Sequence, residues 1–445
     1  MAVNISEIHR LFIEAGQKIC TDTRKLEKGA IFFALKGPNF NANELAEKAI
    51  ELGCSYAIID DEAFAPVTKT ILVKDVLETL QALANFHRKT FSIPFLGITG
   101  SNGKTTSKEL INVVLSKKYR TLATEGNLNN HIGVPLTLLK VTKEHEFAII
   151  EMGANHQGEI DMLCRIAEPD FGVITNIGKA HLEGFGGIEG VKKGKSELYK
   201  YIAEKKARMA QRPFGQGKVF LHGDDEILSE LSSGNDKITY GTNKLYDVVG
   251  KINTSSEQVE FAWKTKEKAG DLAKSAFIKT NIIGVYNYHN LLCAACIGNY
   301  FGVSEADIND ALSHYQPTNN RSQLQVTANN KLILDYYNAN PTSMRAAIEN
   351  FANIDAKNKM LILGDMLELG EDAAKEHKQI VELLQEKKLD SYYLVGPIFS
   401  SVTNSKTFKN SEEAAGFLGK EHVKEKTILI KGSRGIKLEL VLPVL

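Results

Sequence analysis

Phe95-Leu96-Gly97-Ile98-Thr99-Gly100-Ser101-Asn102-Gly103-Lys104-Thr105-Thr106 is the stretch on which the reading of this chain turns. An apolar run ends in a glycine-rich turn, and a helical pattern over Thr105–Ser116 follows directly. A turn of this kind between a buried strand and a helix N-terminus is a phosphate cradle. Backbone N–H groups and the helix dipole face an anion, Lys104 reaches the phosphates, and a threonine hydroxyl can ligate Mg²⁺. The spacing is not the standard Walker pattern, which would need glycine where Ile98 stands. What remains is Gly-x-x-Gly-Lys-Thr, which predicts nucleotide triphosphate use and leaves the fate of the phosphate open.

Working outward, apolar runs at Phe95–Thr99, Phe147–Glu151, Gly172–Thr175 and Val219–Leu221 predict buried strands, with helical patterns such as Glu159–Ile166 between them. Strands alternating with helices imply right-handed crossovers and a mostly parallel sheet. A polar, strand-rich patch follows (Tyr246–Asn253, Gln258–Trp263, Ser275–Ile283), then a helix from His289 to Tyr300. Before the loop, strands at Ala30–Leu35, Tyr56–Asp60 and Thr70–Val76 and helices at Glu44–Leu52 and Leu77–Lys89 form an N-terminal α/β unit, closed by a hinge at Ser92-Ile93-Pro94. After a linker at Gln316–Asn320, strands at Leu332–Tyr336, Lys359–Leu363, Ser391–Val395 and Thr427–Ile430 predict a smaller α/β unit. The expected division is therefore residues 1–91, 92–317 and 318–445, in keeping with about three domains for 445 residues.

Composition narrows the classes. Fifty-four basic residues balance 54 acidic ones, so there is no electrostatic footprint for nucleic acid or an anionic membrane. No apolar run approaches the ~20 residues of a membrane span, and Met1–Glu7 lacks the character of a signal peptide. The five cysteines are scattered; Cys293 and Cys296 fall inside a helical pattern and read as small buried hydrophobes rather than metal ligands. A cytoplasmic protein is expected.

Several polar residues fall at the carboxyl ends of predicted strands, where ligands bind in open α/β sheets. Glu151 ends one strand, and either holds Mg²⁺ or caps a turn. Asn176 and His181 emerge after another; His181 reads as a metal or phosphate contact. Lys192, Lys193 and Lys195 read, by composition, as a solvated basic face. Asn290, beside His289 at the opening of a helix, either reads an adenine edge or caps that helix. Arg321, just past the linker, is placed to reach phosphate. Asp335–Pro341, Gly364-Asp365-Met366 and Lys431-Gly432-Ser433-Arg434 end three strands of the last unit, either as a second wall of a ligand site or as ordinary turns.

Together these motifs resemble the Mur ligases, and within them the MurF branch. Thr99–Thr106, Glu151-Met152-Gly153-Ala154, and Thr175–Gly178 with Ala180–Glu183 look like any member; His289-Asn290 and Lys431-Gly432-Ser433-Arg434 continue the resemblance, and Tyr337-Asn338-Ala339-Asn340-Pro341 and Leu363–Gly370 look like the MurF branch in particular. The resemblance covers nearly the whole chain. It implies three domains: an N-terminal UDP-binding α/β unit, a central P-loop ATPase with a mostly parallel sheet, and a C-terminal Rossmann-like domain. The implied activity is ATP-dependent joining of D-alanyl-D-alanine to a UDP-N-acetylmuramoyl-tripeptide through an acyl phosphate, in the synthesis of peptidoglycan for cell-wall growth, shape and division. Sister Mur ligases and folylpolyglutamate synthases share the ATP site but add single amino acids.

The same resemblance assigns roles. Gly100, Asn102, Gly103, Lys104, Thr105, Thr106, Asn290, Arg321 and Asp335 would bind ATP, with Lys104 stabilising the transferring phosphoryl group. Thr105 and Glu151 would hold one Mg²⁺; His181 and Lys195, carrying CO₂ as a carbamate, would hold a second. Thr23, Arg24, Lys36 and Asn43 would hold the uridine nucleotide, and Asn338, Asn340 and Arg434 the substrate peptide. The expected partners are small molecules only, with no nucleic acid, no membrane insertion and a monomeric chain. Two departures stand out: Cys293 where the adenine-side helix often has a second Asn, and Leu334 and Tyr336 where an acid and a small polar residue are expected.

Overall fold

The computed structural model describes residues 4–209 and 217–445. Met1, Ala2 and Val3, part of the stretch read above for a signal peptide, lie outside the described residues. Continuous apolar runs become strands buried on both faces, as a parallel sheet covered by helices demands. Phe95–Thr99 and Phe147–Glu151 are strands over the bounds their sequences imply, and every residue in both is buried.

Three main sheets run along the chain. The first has four strands, all parallel, in the order Ile19–Cys20, Ile31–Phe33, Tyr56–Ile59, Thr70–Leu72. The second has nine. Six run in parallel from Thr121–Ala123 at one edge through Phe147–Glu151, Phe95–Thr99, Phe171–Ile174, Lys218–His222 and Asp236–Gly241; Val248–Asn253 continues them. Gln258–Thr265 and Ile278–Ile283 complete it as antiparallel neighbours. The third has six strands, with antiparallel Gln323–Val326 at its edge beside Lys331–Asp335, then Thr427–Lys431, Lys359–Gly364, Tyr392–Val395 and Thr407–Phe408 in parallel.

This order positions the site. Phe95–Thr99 lies between Phe147–Glu151 and Phe171–Ile174, all three parallel, so the glycine loop, Glu151 and the Thr175-Asn176 turn share one sheet edge. The loop helix Lys104–Leu115 packs against the helix Tyr288–Tyr300. Small residues allow the approach: a methyl on Gly298 would lie 2.3 Å from Val114. Cys293 and Cys296 belong to this packed face, both free and buried, as small hydrophobes.

The helix Val76–Lys89, capped by Asp75 on the N–H of Glu78 at 2.7 Å, joins the N-terminal unit to the central sheet. Its Arg88 is fully buried against the central unit. It donates to the carbonyls of Ala167 (2.9 Å) and Glu168 (2.9 Å) and to the Asp170 carboxylate (3.0 Å), and it lies 3.6 Å over the Phe95 ring. Asp170 also accepts from the Phe95 N–H at 3.0 Å, so one carboxylate ties this helix to the start of the loop strand.

Candidate functional site

The backbone of the loop dictates its glycines. Gly103 has φ 78° and Gly100 φ 142°. A methyl on Gly100 would lie 2.0 Å from the Thr175 hydroxyl and 3.0 Å from the Thr175 nitrogen, so no larger residue fits. Lys104 opens the loop helix and folds back, donating to the carbonyls of Gly100 (2.7 Å) and Ser101 (3.3 Å). Burial lowers its ammonium to about 8, with Arg321 adding to the effect and Glu151 opposing it. A cation held short of water in this way binds phosphate with little left to desolvate.

Glu151 is 1% exposed. Its Oε1 accepts from Thr105 (3.2 Å) and Asn129 (2.8 Å), while Oε2 is buried without a hydrogen bond, 3.9 Å from the Lys108 ammonium. Lys108 itself donates to the Thr124 carbonyl at 2.6 Å, and the Thr124 hydroxyl accepts the Glu151 N–H at 3.0 Å. An idle carboxylate oxygen beside a threonine hydroxyl suits a hard cation that takes its other oxygens from phosphate and water. Among the described residues no three His, Cys, Asp or Glu side chains gather into a ready-made cage.

Lys195 is not on a solvated basic face. It is 1% exposed, donates to the Ala154 carbonyl at 3.2 Å, and lies 5.0 Å over the Phe185 ring. Burial, with the nearby Lys104 charge, pushes its ammonium well below the ordinary lysine range. An amine driven toward its neutral form is a nucleophile, as addition to CO₂ requires. His181 follows the strand Phe171–Ile174 as expected and lines the cavity. Its Nδ1 faces the carboxylate of Glu368, from the C-terminal unit, and that contact holds Glu368 below the ordinary range.

Between the central and C-terminal units lies a cavity of about 520 Å³. Asn102, Gly103, Lys104, Thr105, Thr106, Glu151, Asn290, Arg321, Asp335, Asn338 and Asn340, all named from the sequence, line it. Gly100 supplies the turn and stays outside the lining. The far wall is built from strand ends in register: Asp335 pairs with Lys431 on the neighbouring strand, and Lys431 donates to the Asp335 carboxylate at 2.5 Å. Arg321 stacks 4.0 Å over the Tyr337 ring, and its Nε is buried without a partner. Asn340 caps the helix Pro341–Asn353 in a capping box with Ser343, and its amide donates to the Asn102 side chain at 2.6 Å, bridging the two units at the loop itself.

Some expectations change. His289, beside Asn290, does not line the cavity; its ring lies tilted against that of His222, with centroids 4.1 Å apart. Tyr286 and Asn287 line the cavity beside Asn290, and Asn290 donates to Asn287 at 3.0 Å. The two asparagines are three residues apart, so Cys293 replaces nothing: the pair begins at Asn287. Arg434 stays exposed, 5.6 Å from the Tyr337 ring and outside the lining. Asp365 lines nothing either; it is buried, accepting from the N–H groups of Ile398 (2.8 Å) and Phe399 (2.9 Å). Asn127, Asn129 and Ser322 went unremarked in the sequence, although Gly126-Asn127-Leu128-Asn129-Asn130 carries the polar, turn-forming composition that marks such a loop.

The residues expected at the uridine nucleotide fall into two local groups in the N-terminal unit, Lys36 and Asn43 around Asp60 and Thr23 and Arg24 beside Asp22. Asp60 is the centre of the first, pairing with Lys36 at 2.8 Å and accepting from Asn43 at 2.9 Å, while Asn43 accepts the Asp60 N–H at 3.0 Å. Arg24 folds onto Asp22, which caps the turn containing Thr23.

Comparison with known proteins agrees with this geometry. Residues 98–298 match the Mur ligase middle domain, and residues 320–434 match the Mur ligase, glutamate ligase domain. The UDP-N-acetylmuramoyl-tripeptide--D-alanyl-D-alanine ligase of Bacillus subtilis is 36% identical over 437 residues, covering 95% of this chain and 91% of that protein. Its Escherichia coli namesake is 31% identical, covering 96% and 93%. MurF from Acinetobacter baumannii superposes with a TM-score of 0.84 at 31% identity, covering 98% of this chain and 97% of the other. The MurF ligase from Thermotoga maritima, solved with ADP, gives 0.81 at 25% identity, covering 97% of each. The chain belongs to the Mur ligase family, in its UDP-N-acetylmuramoyl-tripeptide–D-alanyl-D-alanine ligase branch.

Proposed function

We propose that this chain joins D-alanyl-D-alanine to the terminal carboxylate of a UDP-N-acetylmuramoyl-tripeptide, consuming ATP and releasing ADP and phosphate, in the synthesis of peptidoglycan precursors. The observation that carries the reading is the cavity walled on one side by Lys104, Thr105 and Glu151 and on the other by Arg321 and Asp335. A binding module has no use for a buried carboxylate oxygen and a buried neutral-leaning lysine beside a phosphate loop.

A carboxylate is a poor electrophile at neutral pH. Attack of its oxygen on the γ-phosphorus of ATP, with ADP leaving, makes an acyl phosphate. The dipeptide amine then adds to the activated carbonyl, and phosphate leaves from the tetrahedral intermediate. The protein's share is positioning and charge neutralisation. Lys104 leaves its two carbonyl partners for the transferring phosphoryl group. Arg321 reaches the phosphates from the far wall, Asp335 and the Asn287–Asn290 pair hold the nucleoside, and Asn338 and Asn340 lie on the peptide side. Thr105 and Glu151 would hold one Mg²⁺, with His181 and a carbamate on Lys195 at a second; bound there, the ions would offset the negative charge that gathers on the phosphoryl oxygens. Thr23, Arg24, Lys36 and Asn43 take the uridine nucleotide.

We assign these tasks to residues 1–91, 92–317 and 318–445 respectively for the UDP end, the ATPase and the closing wall. The enzyme works as a monomer in the cytoplasm, where ATP and nucleotide-linked substrates are found. Phosphate release measured against a panel of UDP-muramoyl peptides and amine acceptors tests the reading. It requires release with a UDP-tripeptide plus D-alanyl-D-alanine, and fails if a single amino acid serves better.

A further inference from the structure

The segment Lys179–Glu183 leaves the central sheet and is gripped by the C-terminal unit at several points. The Lys179 N–H donates to the Thr342 hydroxyl at 3.1 Å, and its ammonium pairs with Glu376 at 2.6 Å. Gly370 packs on Glu183 so closely that a methyl there would lie 3.2 Å from the Glu183 Cβ. Between these contacts the Glu368 carboxylate lies against Nδ1 of His181, a buried nitrogen that makes no aligned hydrogen bond and so has this carboxylate as its neighbouring acceptor. Both residues adopt left-handed backbone, His181 at φ 51° and Glu368 at φ 63°, where neither gains anything locally. Strain of this kind persists only where the surroundings hold it, and here each strained residue presents its side chain to the other across the domain boundary. His181 is 21% exposed while Glu368 is 57% exposed, so the imidazole sits inside the cavity wall and the carboxylate reaches in from outside.

A carboxylate at Nδ1 keeps the proton on that nitrogen and leaves the lone pair on Nε2. We propose that Glu368 is a positioning residue for His181: it fixes the imidazole's tautomer and orientation, so the reacting site acquires a correctly presented Nε2 only once the C-terminal unit has docked. This rests on the reading of His181 as part of the reacting site. The contact would add little stability by itself; its effect is to join the docking of the C-terminal unit to the state of one ring.

Glu368→Ala, Glu368→Gln and His181→Asn, alone and with Glu368→Ala combined with His181→Asn, test this in the full-length enzyme. Loss of a carboxylate partner behind a working histidine costs ~10–100-fold; kcat of Glu368→Ala should fall in that range. ADP affinity without tripeptide should stay within about twofold, since Glu368 is not in the nucleotide wall, and Glu368→Gln, which keeps an acceptor, should recover most of kcat. The double variant should be no slower than His181→Asn alone. A readout independent of turnover comes from ¹⁵N-histidine spectra, with the His181 signal assigned by its loss in His181→Asn. The Nδ1–H tautomer of the wild type should give way to Nε2–H or an exchanging mixture in Glu368→Ala. An unchanged tautomer, or losses that multiply in the double variant, overturns the proposal. Full ligation by His181→Asn would instead sink the reading of His181, a distinct result.

Discussion

Arg88 offers a quantitative test of how the N-terminal unit is held. Replacing it with methionine keeps apolar bulk over Phe95 but removes the donors to Ala167, Glu168 and Asp170. Asp170, 5% exposed in its side chain, would stay in the interior without its guanidinium. Breaking a buried ion pair from one side costs ~3–5 kcal/mol. At 1.4 kcal/mol per factor of ten, that is between roughly a hundred- and several-thousand-fold in the local opening equilibrium. Native-state hydrogen exchange reads this in a multidomain chain without assuming one global transition. Amides of Val76–Lys89 and of the Phe95 end of its strand should lose that much protection, while Lys331–Asp335 in the third sheet should not change. Arg88→Met combined with Asp170→Asn should recover part of the loss, because a full charge no longer remains in the interior. A change under ~1 kcal/mol, the size of an ordinary surface substitution or a little above, would refute the idea that this pair fixes the helix to the central sheet.

Three other outcomes are expected. Lys104 is depressed to about 8, so its charged form, and phosphate affinity with it, is present below that pH and is lost as pH rises through it. ADP titrations should be flat from pH 7 to near 8 and then weaken by up to about tenfold per unit, a dependence that Lys104→Met should abolish. Lys195→Ala should nearly abolish ligation, and added short carboxylates should restore part of it; full activity in the variant would end the carbamate assignment. Asn287→Ala should weaken ADP binding by about 1–2 kcal/mol, the cost of a lost hydrogen bond and an unsatisfied neighbour, whereas His289→Ala should leave it unchanged; equilibrium titration with a fluorescent ADP analogue separates the two.

How much of this could be read in advance follows from the range of the forces involved. Phe95–Thr99 and Phe147–Glu151 announce themselves because a strand covered on both faces needs an unbroken apolar run. Gln323–Val326 does not, being a half-exposed edge strand with glutamine at two of four positions. Thr121–Ala123 is too short to carry a period. At the site, Lys104, Thr105 and Glu151 were legible because strand ends and glycine turns are local signals. Burial is not local: Lys195 reads as one of three surface lysines until the helix carrying it is packed, and its chemistry was supplied by family likeness. Asn290 was legible as the polar residue at the opening of the helix that starts near Tyr288, whereas Asn287, in the turn before that helix, joins it only through the fold. Glu368 meets His181 from 187 positions away (368 less 181), a pairing no spacing rule contains.

The bond between Asn102 and Asn340, spanning 238 positions, has a thermodynamic consequence. One partner belongs to the phosphate loop, the other to the facing wall of the C-terminal unit. Linkage is reciprocal, so whatever factor docking adds to the hold on a nucleotide, the nucleotide adds to docking. A stronger amide bond between the two units would thus tighten the hold on ADP by the same factor as on ATP, where both favour the docked form equally.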